Sequence, residues 1–262
     1  MRTLRLTLAY DGRPFVGWQR QAEGVSIQGL LEDVLARLEG APVTVHGAGR
    51  TDAGVHALGQ VASAQVTFTH DPATIRRAMN VHLPAELRVL EVHDAPEDFH
   101  ARFSARAKTY RYQIANTPVA HPLAAPFAWH LPERLDVDAM ARAAALLTGE
   151  HDFAAFQSVG TPVASTVRTI EASMLTREAV SLGGLPVQDL LVYQVRGTGF
   201  LRHMVRALAG TLVEVGRGHH PPEWIPGLLA GRDRHAAGPT APPEGLFLVA
   251  VEYGPSGQHG RG

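Results

Sequence analysis

Residues 47–57 read GAGRTDAGVHA, a glycine-rich stretch between two predicted β-strands at 42–46 and 59–68. Its opening Gly-x-Gly resembles a dinucleotide-binding loop, but Asp52 occupies the place of the third glycine, and a strand rather than a helix follows. A carboxylate at that place would repel a pyrophosphate. The stretch therefore argues against a dinucleotide-binding unit, and it presents one carboxylate on a backbone that a large ligand can approach closely.

The apolar pattern on both sides of this stretch predicts the fold class. The first half follows the order β-α-β-β-α-β, which is the split βαβ order of a ferredoxin-like unit, and the second half repeats it. We expect an α+β fold in which two ferredoxin-like halves join around a mainly antiparallel sheet with a central active-site cleft. The predicted domains are 1–104 and 105–253, followed by a flexible tail at 254–262. The predicted strands are 3–10, 42–46, 59–68, 87–93, 108–115, 167–175, 187–195 and 246–253, and the predicted helices are 26–39, 72–80, 136–147, 200–215 and 221–229.

The composition excludes several classes of protein. The chain has 262 residues and no cysteine, which leaves no disulfide framework, thiolate nucleophile or cysteine-built metal site. Residues 1–8 alternate as in a strand and do not form the apolar core of a signal peptide. No run of about 20 apolar residues could cross a membrane. We therefore expect a cytoplasmic protein.

The distribution of charge points to an anionic partner, although the net charge of −1 does not. All of the basic residues except Lys108 are arginines, which bind phosphates in a forked geometry. No acidic residue lies between Asp98 and Glu133, or between Asp189 and Glu214, yet both windows contain several basic residues. A bias in codon usage would also enrich arginine, but it would not separate the charges in this way.

The first acid-free window contains a second cluster, Lys108-Thr109-Tyr110-Arg111-Tyr112. On a strand, Lys108 and the two tyrosines share one face, while Thr109 and Arg111 share the other. Aromatic rings beside cations are suited to stacking on bases next to a phosphate backbone. An ordinary amphipathic strand would give the same pattern.

The third cluster is GTGFLRHMVR at residues 197–206. Helical spacing predicts that Arg202 and Arg206 share one face near the start of a helix. Because the helix dipole disfavours a cation there, the pair would need an anion or a partner. Two solvated arginines remain the alternative.

Other catalytic and metal-binding patterns are missing from the sequence. The adjacent His219 and His220 cannot chelate from one helical face, and no His-Glu-x-x-His or Gly-x-Ser-x-Gly motif occurs. We expect no metal site. Asp52, beside Arg50, is suited to nucleophilic or electrostatic work as an ionised carboxylate, although a turn-forming aspartate would also be found in such a loop.

These clusters, together with other short motifs, closely resemble the tRNA pseudouridine synthase A family. The resemblance runs from about residue 5 to 253 in the family's order and spacing, and it departs from the family's pattern at Gln157 and at 162–164. The other matching motifs are Tyr10-Asp11-Gly12, Phe15-x-Gly17-Trp18-Gln19-x-Gln21, His151-Asp152-Phe153, Val167-Arg168 and Gly245-Leu246.

The resemblance implies a pseudouridine synthase fold and the isomerisation of uridine to pseudouridine at positions 38, 39 and 40 of the tRNA anticodon stem-loop. It also implies a homodimer that needs neither metal nor cofactor. By resemblance, Asp52 is the catalytic aspartate, Arg50 helps to expel or hold the target base, and Tyr110 stacks under the uracil. Arg202 would pair with the aspartate, and Leu246 would form a wall of the base pocket. From their clusters, we expect Lys108, Arg111 and Arg206 to bind the substrate as well.

Two other function classes fit the same basic clusters. A non-catalytic RNA-binding or RNA-chaperone protein would need the cations but not Asp52. An enzyme acting on a small phosphorylated molecule would bind nucleotides in competition with tRNA.

Overall fold

In a computed structural model, which describes residues 1–158, 160, 163–182 and 185–254, the chain forms two compact units. The first unit comprises Met1–Lys108 and Phe247–Gly262, and the second comprises Thr109–Leu246. The sequence's departure at Pro162 and the predicted tail from Pro255 onward lie outside the described residues. No helix of the described part is long and apolar enough to cross a membrane.

The first unit has the predicted element order. Its strands are β1 (Arg2–Tyr10), β2 (Val45–Gly47), β3 (His56–Val66), β4 (Leu87–Ala95) and the late strand β10 (Leu246–Tyr253), and its helices are α1 (Ile27–Glu39) and α2 (Pro72–His82). Ser26 and Asp71 cap the helices, because each side chain accepts a backbone N–H three residues later. The sheet order is β4-β1-β3-β10, with β2 paired to β3.

Two details of the first unit differ from the sequence-based prediction. β3 begins at His56, earlier than the predicted 59, because Phe247 of β10 pairs with His56 in a parallel register. β2 covers only the end of the predicted strand at 42–46 and extends to Gly47. The early start of β3 arises from pairing with a strand distant in sequence, which a local pattern does not contain.

The second unit has more strands than the sequence pattern predicted. Its strand order is β5-β9-β8-β7, with β6 paired to β5. The short strands β6 and β7 were not predicted, because two to four residues are too few to show a period of two. The elements are β5 (Ala105–Ala115), β6 (Trp129–His130), α3 (Val137–Ala145), β7 (Gly149–Asp152), β8 (Val167–Leu182), β9 (Leu185–Gly197), α4 (Met204–Gly216) and α5 (Trp224–Gly231).

The start of α4 corrects a prediction. The helix begins at Met204 rather than at 200, because His203 adopts a left-handed conformation with φ of 62°. Arg202 therefore lies before the helix, and the prediction that Arg202 and Arg206 share one helical face was wrong. With both units mixed and mainly antiparallel, the expected α+β fold class is confirmed.

Candidate active site

The loop that carries Asp52 is braced by the segment after β1. The hydroxyl of Tyr10 lies 2.9 Å from Thr51 Oγ1, and the backbone N–H of Trp18 donates to the Thr51 carbonyl at 3.0 Å. On the other side of Asp52, the N–H of Val55 closes a turn on the Asp52 carbonyl at 3.2 Å. Residues on both sides of Asp52 are thus fixed by hydrogen bonds.

Two glycines allow this segment to touch the loop backbone. A Cβ on Gly12 would lie 2.1 Å from the Val55 carbonyl oxygen, and one on Gly17 would lie 2.6 Å from the Thr51 carbonyl oxygen. Gly17 also has a φ of +106°, which side-chain-bearing residues rarely adopt. The motif around these glycines therefore serves to hold the Asp52 loop. The sequence pattern alone does not indicate this role.

A buried histidine lies beneath the loop. His56 is 1% exposed, and its ring stacks on Phe247 with centroids 4.6 Å apart. The N–H of Gly12 donates to His56 Nδ1 at 3.1 Å, which places the ring proton on Nε2 when the imidazole is neutral. Asp11 precedes Gly12 in the chain. Its carboxylate accepts a hydrogen bond from Arg13, which lowers the pKa of the Asp11 carboxyl, so Asp11 stays ionised.

The loop presents its two predicted functional side chains outward. Asp52 is half-buried, and Arg50 is exposed. The glycines on either side of this pair, Gly49 and Gly54, leave the backbone open to a large ligand. The loop thus combines a half-buried aspartate on a hydrogen-bonded backbone with an accessible cation.

Tyr110 lies on β5 in the second unit. Its side chain is 8% exposed and packs edge-on against Phe200 with ring centroids 5.0 Å apart. Tyr112, two residues later, is fully buried, and its hydroxyl donates to the Pro242 carbonyl at 2.8 Å. Tyr112 therefore has a structural role, whereas Phe200 links Tyr110 to the third cluster.

The two cations of the second cluster differ in their surroundings. Burial, together with the nearby charge of Arg102, lowers the pKa of Lys108 to about 8. Arg111 donates to Glu178 on β8 at 2.6 Å. The charge of Arg111 is thus already paired within its own unit, whereas burial disfavours the charge of Lys108.

The two arginines of the third cluster are also held differently. The side chain of Arg202 is exposed, and its carbonyl accepts the N–H of Ser158 at 3.2 Å. Arg206, in the first turn of α4, is half-buried, and its Nε donates to the Ala241 carbonyl at 2.7 Å. The guanidinium of Arg206 is therefore fixed by the backbone, and that of Arg202 is not fixed in this way.

Leu246 is the predicted site residue nearest to the C-terminus. Its side chain is 6% exposed, and it follows Gly245, on which a Cβ would lie 2.8 Å from the Tyr112 ring. Because Gly245 has no side chain, the backbone at this position can pack closely against the Tyr112 ring. Among the described residues, no group of three histidines, aspartates or glutamates could hold a metal ion.

Comparison with known proteins identifies what this chain is similar to. A family model described as tRNA pseudouridine synthase matches residues 7–104 and 143–254. The chain is 46% identical over 255 residues to a protein of Syntrophotalea carbinolica named tRNA pseudouridine synthase A, with 97% of this chain and 98% of that protein covered. Proteins of the same name in Solidesulfovibrio magneticus and Moorella thermoacetica are 48% identical over 267 residues and 46% identical over 255 residues. These matches cover 99% and 97% of this chain, and 94% and 100% of those proteins, respectively.

Proposed function

The chain belongs to the tRNA pseudouridine synthase family of isomerases, and on that premise we propose that it converts uridine to pseudouridine at positions 38, 39 and 40 in the anticodon stem-loop of tRNA. The observation that carries the proposal is the braced loop of Asp52, a half-buried carboxylate next but one to an exposed arginine. We further propose a cytoplasmic homodimer that needs no cofactor.

The reaction needs few chemical groups. The N1–C1′ glycosidic bond breaks, the uracil turns, and a C5–C1′ bond forms before the C5 proton leaves and N1 takes up a proton. Neither a net oxidation nor a net addition of water occurs. Asp52 would attack C1′ or the uracil ring, or would assist loss of the C2′ proton, and a single ionised carboxylate is able to do each of these.

Tyr110 is proposed to contact the detached base. A base must leave its stack before an enzyme can rearrange its glycosidic bond, and an aromatic ring replaces the lost stacking. The ring of Tyr110 is held by Phe200, and its hydroxyl would take part in removing the C5 proton. Leu246 supplies an apolar wall, and Arg50 holds the displaced base.

The resemblance assigns the partner of Asp52 to Arg202, and Arg206 of the same cluster is a second candidate. Arg202 is exposed, whereas the backbone carbonyl of Ala241 fixes the guanidinium of Arg206. A guanidinium that is already oriented loses less entropy when it pairs with a carboxylate. We therefore propose Arg206 as an alternative partner of the catalytic aspartate, in which case Arg202 and Lys108 contact the RNA backbone. Arg111 would contact the RNA only by giving up its ion pair with Glu178.

Conservative substitutions test which of the two arginines, Arg202 or Arg206, pairs with Asp52. Lysine keeps the charge but cannot form the bidentate pair, so Arg206→Lys is expected to lower kcat at least about tenfold with little change in tRNA affinity. Arg202→Lys should leave kcat within about twofold. Single-turnover kinetics on one tRNA measure both variants. A larger loss of rate in Arg202→Lys than in Arg206→Lys would indicate that Arg202 is the partner of Asp52.

Mapping the modified nucleotides tests the proposed function. The purified chain is incubated with tRNA transcripts that carry uridine at 38, 39 or 40, and pseudouridine is located by carbodiimide labelling and primer extension. Pseudouridine confined to these positions supports the proposal. Modification elsewhere would refute the proposed positions. Binding without modification would favour a non-catalytic RNA-binding protein.

A further inference from the structure

Three aromatic rings of the first unit stack in a row outside the loop of Asp52. His46 stacks on His100 with ring centroids 4.7 Å apart, and His100 packs against Phe103 at 4.4 Å. The guanidinium carbon of Arg102 lies 5.6 Å from the centre of the Phe103 ring. We call these four residues the ring platform. Its outer member, Phe103, is 77% exposed.

The turn that carries the platform is firmly anchored. Ala101 is fully buried, its N–H donates to Ser63 Oγ at 3.1 Å, and its carbonyl accepts the hydroxyl of Tyr253 at 2.7 Å. Ala101 and Phe99 belong to a buried cluster that includes Tyr253. The exposure of Phe103 is therefore imposed by a rigid turn, since the residue two positions earlier is fixed in the core.

The middle ring is fixed as well. His100 Nδ1 accepts the backbone N–H of Arg102 at 3.1 Å, which sets the orientation of the imidazole. Burial lowers the pKa of His100, and the charges of His46 and Arg102 lower it further, so this ring is neutral at pH 7. A neutral ring packed behind Phe103 supports it without adding a charge.

The platform follows directly from the elements that position Asp52. His46 lies on β2, where it pairs with Ser63 of β3, and the glycine-rich loop starts at the end of β2. The same Ser63 anchors the turn through Ala101. The platform is therefore fixed to the two strands that flank the loop.

We propose that the ring platform is a second RNA contact, at which an unstacked base of the tRNA lies on Phe103 while Arg102 binds an adjoining phosphate. Exposed aromatic rings beside cations stack on bases with little sequence preference. Every charged residue between Asp98 and Glu133 is basic, which suits a polyanion. The inference rests on the proposed function for the identity of the RNA, and the contacted base is distinct from the reacting uridine.

Substitutions of Phe103 test the stacking contact. Phe103→Leu keeps an apolar side chain but removes the ring, and it is expected to weaken tRNA binding about five- to hundredfold at fixed salt. Phe103→Tyr keeps the ring and should bind within about twofold of the wild type. Val81 on α2, at 78% exposure, provides the matched control, and Val81→Ala should leave the Kd unchanged. Equal binding by Phe103→Leu and the wild type would overturn the proposal.

The predicted role of Arg102 has a separate readout. If Arg102 binds a phosphate, Arg102→Gln should reduce the slope of log Kd against log salt by about one. An unchanged slope would remove Arg102 from the contact.

Two further measurements distinguish an RNA contact from an interface between copies of this chain, and from a failure of the proposed function. Sedimentation velocity of the same variants reports the oligomeric state, and a smaller assembly in Phe103→Leu would identify the platform as an interface between copies of this chain, which overturns the RNA contact. Pseudouridine formation by the wild type reports the proposed function independently. If the wild type binds tRNA without modifying it, the proposed function fails. The effect of Phe103→Leu on binding then still tests whether the ring platform is an RNA contact.

Discussion

At the scale of single residues, the contributions of the Tyr110 ring and of its hydroxyl can be measured separately. The ring packs edge-on against Phe200 and is 8% exposed, so phenylalanine should occupy the same space. Tyr110→Phe is expected to keep the melting temperature within about 2 °C and to reduce pseudouridine formation at least about a hundredfold, because the hydroxyl proposed to take part in removing the C5 proton is lost. Release of tritium from uracil C5 in tRNA measures the rate, and near-normal turnover would remove the hydroxyl from proton transfer.

The sequence could predict which residue types belong to the site but not how each is held. Asp52, Tyr110 and Leu246 were identified from motifs, and that assignment stays a prediction. The different environments of Arg202 and Arg206 could not be foreseen, because a left-handed backbone at His203 shifts the start of α4. A residue other than glycine rarely adopts that conformation, so a helical pattern gives no sign of it.

At the scale of elements, the segment that follows β1 acts as a brace for the loop of Asp52. Gly17→Ala tests this, because its Cβ would lie 2.6 Å from the Thr51 carbonyl oxygen. Gly40 is the matched control, since it also has a positive φ, of +76°, but has nothing within 4 Å of an added Cβ.

We expect Gly40→Ala to cost about 1–2 kcal/mol from backbone strain and to keep activity. Gly17→Ala should cost a further 1–3 kcal/mol from overpacking and should lose most activity at temperatures where it is still folded. Urea denaturation and tritium release measure the two effects. Equal losses in both variants would show that the brace does not position the loop.

The elements of the first unit were largely predictable, because its helices have side-chain caps and its strands alternate. The same reasoning missed β6 and β7, and it placed the start of β3 too late. β6 and β7 are too short to show a period of two, and the start of β3 depends on pairing with β10, far along the chain. Helix α4 is buried on nearly all sides, so its periodicity also gave little help in finding its first residue.

At the scale of the whole molecule, the net charge of −1 gives no attraction for RNA, and the basic residues are segregated along the sequence. The proposed function needs those residues to neutralise phosphates, which makes binding sensitive to salt. If four phosphates are neutralised, the tRNA affinity should fall about 50- to 150-fold between 50 and 200 mM salt. Filter binding over that range measures the slope, and a flat response would exclude a phosphate-binding surface.

The central claim is that the carboxylate of Asp52 carries out the isomerisation of uridine in tRNA. Asp52→Asn keeps the shape of the side chain and removes its charge, and the backbone hydrogen bonds on both sides of the residue should preserve the loop. The direct measurement is single-turnover tritium release from tRNA labelled at uracil C5, with the tRNA affinity of the same protein measured in parallel. We expect no release above background, with tRNA binding retained. Release at the wild-type rate would contradict the claim.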